Sequence, residues 1–169
     1  MSELENAKKL LSQGKHREAA KIIDSLLKSQ YKNDELWYLR GIISLKLDNY
    51  PYAHECFEHA VSIKKKPEYF KADGMAYMET FEVNEAVQKF EEAEKIKKDA
   101  ETYFFLAIGY MFLNDAKSKE LLKLAYDADK KKTISLLKEF FRTFFKNNPK
   151  INEKAKEKLE TKILELEKR

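Results

Sequence analysis

A small residue, a large one and a second small one recur along this chain at a fixed interval. Ala53, Phe57 and Ala60 return 33 residues later as Ala86, Phe90 and Ala93. Ala19 and Ile23 lie 34 residues before Ala53 and Phe57, and Gly14 precedes Asp48 by the same interval. A second pattern runs in phase: Trp37-x-x-Arg40-Gly41-x-x-Ser44, Phe70-x-x-Asp73-Gly74-x-x-Tyr77, and Tyr103-x-x-Leu106-Ala107-x-x-Tyr110. Such self-similarity marks a supersecondary unit that cannot bury its apolar face alone. Neighbouring copies must therefore stack.

Each copy reads as two helices. Leu4, Ala7, Leu10 and Leu11 share one helical face, and Ala19, Ile22, Ile23, Leu26 and Leu27 share another. Gly14-Lys15 separates them, and a connection this short forces an antiparallel hairpin. Ser2 and Glu5 have the form of a capping box. The small residues at 41, 53, 60, 74, 86, 93 and 107 let helix axes approach, and the large ones at 37, 57, 70, 90 and 103 fill the remaining space. Only four glycines and three prolines interrupt the chain, which supports an all-α fold.

These offsets resemble the tetratricopeptide repeat. Trp37, Gly41, Ala53, Phe57 and Ala60 match its pattern closely, and Phe70, Gly74, Tyr77, Ala86, Phe90 and Ala93 match it well. The first copy keeps Ala7, Gly14, Ala19 and Ile23. The fourth keeps Tyr103, Ala107 and Tyr110, with Ser118, Leu122 and Ala125 as its small-large-small set after a shortened turn. Of the proline expected at each repeat end, only Pro67 is present, slightly late. The resemblance covers about residues 1–130. It implies a right-handed α-solenoid of stacked antiparallel hairpins, with the first helix of each hairpin on the concave side. The groove positions it implies are Tyr38, Ile42 and Leu45, then Lys71, Met75 and Met78, then Phe104, Ile108, and Met111 or Phe112. Family members that bind chaperone tails hold a terminal carboxylate with a clamp of Lys, Asn and Arg. Here only Lys71 and Lys8 stand near such positions, so the resemblance implies no carboxylate clamp.

After Asp129 the pattern degrades. Ile134, Leu137, Phe140, Phe141, Phe144 and Phe145 predict a helix with a wide apolar face, stopped by Asn147-Asn148-Pro149. Ile151, Ala155, Leu159, Ile163 and Leu166 trace a narrow stripe on a final charged helix. The expected division is thus four hairpins over 1–130, then a Phe-rich helix and a polar capping helix over 131–169.

Catalytic and metal chemistry find no support. His54 and His59 are five residues apart, roughly 140° around a helix, whereas a zinc-binding helical pair needs a spacing of four. Cys56 is the single cysteine, so no internal disulfide can form and no base is placed to activate it. The glycines are isolated, so no phosphate loop exists. We expect no enzyme activity, no metal and no cofactor. The N-terminus lacks a signal-like apolar run, and the longest apolar run, Tyr103–Leu113, falls short of a membrane span. The expectation is a cytoplasmic protein without a membrane partner. The net charge of +4 comes from interleaved signs, and glutamates dilute the lysines of the C-terminal region, which speaks against nucleic acid.

Two readings of function follow. One is a protein-interaction scaffold, adaptor or chaperone-like cofactor that takes an apolar helix or peptide into the concave groove, whose methionines and aromatics suit such a guest. The other is a self-associating module, a homodimer joined through Phe140, Phe141, Phe144 and Phe145. A groove filled by the chain's own helices is the alternative to a partner in both.

Overall fold

A computed structural model describes residues 2–146, 149 and 152–168. Among them are ten α-helices and no strand. These are α1 (Glu3–Ser12), α2 (His16–Ser29), α3 (Asp34–Lys46), α4 (Tyr50–Ile63), α5 (Pro67–Glu79), α6 (Val83–Ile96), α7 (Ala100–Phe112), α8 (Lys117–Ala128), α9 (Lys130–Phe140) and α10 (Glu153–Lys168). A π-helical turn, Phe141–Phe145, extends α9.

Local chemistry sets the helix starts. Ser2 and Glu5 form the expected capping box. Asn33, Asn49, Asp99 and Asp129 each accept a backbone N–H from the first turn that follows, a contact that contributes about 1 kcal/mol. Pro67 opens α5, where its missing N–H costs nothing. The hairpin turns are alike in all four copies. Gly14, Asp48, Phe81 and Asn114 have φ of +75°, +56°, +62° and +54°. In each turn that residue's N–H reaches back three residues, and the next N–H reaches back five, as from Lys15 to Leu10 and from Asn49 to Ser44. This double bond pattern closes the first helix of every hairpin.

The chain divides into two compact units, Met1–Lys97 and Lys98–Arg169. In the first, three antiparallel hairpins (α1–α2, α3–α4, α5–α6) stack in order as a solenoid, α2 on α3 and α4 on α5. Small-into-large packing holds each hairpin. Ala53, Phe57 and Ala60 are fully buried, as are Ala86 and Ala93, with Phe90 1% exposed. A methyl group at Gly41 would lie 2.5 Å from Phe57 Cε1, and one at Gly74 would lie 2.7 Å from Phe90 Cδ1. Those glycines are required by close approach and not by backbone conformation.

In the second unit α7 pairs with α8, and α9 packs on both. α10 lies against α9 and the π-helical turn. The sequence places its boundary at 130/131, where the repeat pattern degrades. In the structure the fourth hairpin shares a unit with the helices that follow it. Asn147, Asn148 and Ile151, and the side chains at 155 and 159, lie outside the described residues; Ile163 is buried and Leu166 half-buried.

Cys56 is wholly buried between α4 and its neighbours, and burial pushes its thiol up to about 11. Native protein should therefore resist thiol alkylation at pH 8, and modification should track global unfolding in a urea series.

Candidate partner-binding groove

The residues expected to line a groove fall into two sets. In the first unit, α3 places Tyr38, Ile42 and Leu45 over a buried layer made by Ala53 and Phe57 of α4 and Ala72 and Ala76 of α5. Tyr38 stacks on Tyr69 with ring centroids 4.8 Å apart and tilts over Phe57 at 6.1 Å. Tyr38, Ile42, Leu45 and Met75 are all half-buried, whereas Lys71 and Met78 are buried, at 8% and 5% exposure. The accessible apolar strip is thus Tyr38, Ile42, Leu45 and Met75. Glu35 flanks it, paired with Lys8 at 2.6 Å.

In the second unit Phe104 and Ile108 are buried, and Met111 and Phe112 are 38% and 37% exposed. The Phe-rich helix accounts for part of this. Phe140 of α9 sets its ring edge-on to both Phe104 and Phe112, each at 6.4 Å. Phe144 stacks on Phe140 at 5.4 Å, and Phe145 lies 5.8 Å from it. Phe140 and Phe141 are buried, and Phe144 and Phe145 half-buried. Here the residues expected to bind a partner and those expected to self-associate meet one another.

Three polar clusters join successive hairpins of the first unit. Asp73 on α5, 2% exposed, accepts from His54 Nδ1 at 2.5 Å and from Lys89 Nζ at 2.7 Å. Tyr77 stacks on His54 at 3.9 Å and lies beneath the Lys89 ammonium. Burial acts downward on the Lys89 ammonium, but the hydrogen bond and charge of Asp73 outweigh it and hold the pKa above its ordinary value. One repeat earlier, Arg40 bonds Asp24 at 2.6 Å and Ser44 at 2.9 Å. Arg40 and Asp73 occupy equivalent positions with opposite charges, each just before the packing glycine. That offset is visible in the sequence, although their partners on other helices are not.

In the third cluster, Tyr69 donates to Asp34 Oδ2 at 2.6 Å, and Lys66 lies 2.8 Å from the same oxygen. The Lys66 and then the Tyr69 hydrogen bonds hold the Asp34 carboxyl below its ordinary range. Burial, then the Asp34 bond, pushes the Tyr69 hydroxyl up to about 12. A lowered carboxylate gives stability that is lost as pH falls through its folded value. A raised phenol gives stability that is present below about 10 and lost as pH rises toward 12. Replacing Tyr69 with Phe should flatten the alkaline limb of a stability–pH profile between those values, and Asp34→Asn should flatten the acid limb below pH about 4.

Among the described residues no group of three His, Cys, Asp or Glu side chains could hold a metal ion, and no helix is long and apolar enough to cross a membrane.

No family model matches this chain, and no curated protein sequence matches it. Solved structures do. MamA 41-end from Desulfovibrio magneticus RS-1 is 20% identical with a TM-score of 0.69, over 97% of this chain and 92% of that one. The nearly identical tetratricopeptide-like repeats of a putative kinesin light chain from Podosopora anserina give 17% identity and a TM-score of 0.69, over 97% and 92%. A structure of the Cut9–Hcn1 hetero-tetramer of APC/C gives 17% and 0.71, over 96% of this chain but 31% of that one. At these identities the likeness is one of fold.

Proposed function

We propose that this chain, which has the tetratricopeptide-repeat fold, is a non-enzymatic scaffold that binds an apolar helix or peptide of a partner protein. The observation carrying this reading is the strip of Tyr38, Ile42, Leu45 and Met75. These are large apolar side chains on first helices, all partly open to solvent, and Tyr38, Ile42 and Leu45 are seated on the buried layer of Ala53, Phe57, Ala72 and Ala76. A rigid floor with adaptable Met and aliphatic side chains suits an amphipathic guest, whose anchors recur at helical spacing. Lys71 and Met78 are buried and are not counted in the strip. In the second unit Met111 and Phe112 remain available for contact, while Phe104 and Ile108 serve as packing. A fold shared with Cut9, which is found together with Hcn1, is consistent with this role. We place the protein in the cytoplasm, the setting its single thiol suits.

Exchanging Ile42 and Met75 together for Asp should reduce capture of a native partner by at least about tenfold, an effect of 1.4 kcal/mol or more. Affinity purification with mass spectrometry reads the outcome, with circular dichroism confirming retained helicity. Undiminished recovery of the same partner by the folded variant contradicts the proposal. A second reading, self-association through the C-terminal helix, rests on the partial exposure of Phe144 and Phe145. Light scattering of the full chain beside Phe145→Ser tests it; equal masses would dismiss it.

A further inference from the structure

Phe81 breaks the rule of its own repeat. The equivalent turn positions hold Gly14, Asp48 and Asn114, types that tolerate the left-handed backbone. The third hairpin places a phenylalanine there at φ +62°, with 63% of its surface exposed. A bulky side chain in this conformation is strained, and most of this ring's surface is nonetheless open to solvent.

The charges along the same edge of the first unit supply the occupant. The three turns lie side by side. Leu47 of the second turn lines a hollow of about 390 Å³ together with Gly14, Lys15, His16, Arg17 and Glu18 of the first. Glu79, at the start of the third turn, feels the charges of Lys46 and Asp48 in the second. Counted over the same positions, the first turn is basic, with Lys15 and Arg17 against Glu18, the second is balanced by Lys46 and Asp48, and the third is acidic through Glu79, Glu82 and Glu85. The hollow has an apolar wall in Leu47, 37% exposed. His16 Nδ1, at its rim, is buried without a hydrogen-bond partner.

We propose that this edge is an interface with a second copy of the chain, in which Phe81 of each copy enters the hollow between the first and second turns of the other. Antiparallel apposition about a two-fold axis sets the acidic third turn against the basic first turn at both ends and the balanced second turns against each other. Such a contact is self-complementary and closes at two copies. It lies apart from the first-helix strip and goes beyond the scaffold reading.

Sedimentation velocity of the full chain, from micromolar to millimolar concentration, tests it. The expected species is a dimer of twice the 20.0 kDa chain mass, weakened by salt. Phe81→Gly should weaken dimerisation at least about tenfold while raising the melting temperature, because the strain goes with the ring. Two charge-reversed chains give the sharper readout: Lys15→Glu with Arg17→Glu, and Glu79→Lys with Glu82→Lys. Each alone should be monomeric, and an equimolar mixture should form a heterodimer. Overturning results are a wild-type monomer throughout, masses growing beyond a dimer, a dimer indifferent to Phe81→Gly or lost only with Phe145→Ser, or a charge-reversed mixture that stays monomeric.

Discussion

Replacing Phe57 with alanine is expected to destabilise the first unit by about 3–5 kcal/mol, the largest effect of any single truncation in it. The ring is wholly buried, and its face covers the backbone at Gly41, where an added methyl would lie within 2.9 Å of three ring atoms. Neither Ala53 nor Ala60 can move to fill the space, because both are themselves buried in tight contact. Gly41→Ala should also destabilise, by about 1–3 kcal/mol, since overpacking against a buried ring outweighs the roughly 1 kcal/mol gained in helix propensity. The double variant should cost less than the two singles added together, because the new methyl then occupies part of the cavity. Urea titrations of the four proteins by circular dichroism complete the cycle. Additive effects would mean that Gly41 and Phe57 are not a packing pair.

The second large effect belongs to Asp73. Its carboxylate is the shared acceptor of His54 and Lys89, and its side chain is 4% exposed. Asp73→Ala leaves a partly buried ammonium without its counter-charge. Breaking a fully buried ion pair costs about 3–5 kcal/mol, and the remaining 25% exposure of Lys89 lowers the expectation to about 2–4. Asp73→Asn keeps an acceptor for His54 and should cost less. Combining Asp73→Leu with Lys89→Met, which removes both charges, should recover much of the loss. Thermal melts of the four proteins decide this. An Asp73→Ala protein as stable as the parent would show that the cluster does not staple the second hairpin to the third.

The hairpins were legible because side-chain volume leaves a trace at fixed offsets. Gly41 against Phe57, and Gly74 against Phe90, can be paired from spacing alone, and Gly14 and Asp48 mark their turns by type. Phe81 could not be read as a left-handed turn residue from its chemistry; only its interval from Asp48 places it there. The expected groove positions follow the helix on which each residue sits. They carry no information about a later helix packing above, and for that reason Phe104 did not announce its contact with Phe140. Lys71 and Met78 likewise read as surface from their offset, yet the structure buries them. The polar clusters were half visible. Arg40 and Asp73 stood out beside their glycines, but His54, Lys89 and Asp24 lie on other helices at intervals that no single period predicts.

The most direct test of the scaffold reading is site-specific photocrosslinking in the native cell. A photoreactive residue at position 42 or 75 should yield a discrete adduct with the same partner protein, and one at Glu58, on the exposed face of a second helix, should yield none. Equal adducts from Glu58, or none from positions 42 and 75, would contradict the assignment of the first-helix strip as the binding surface.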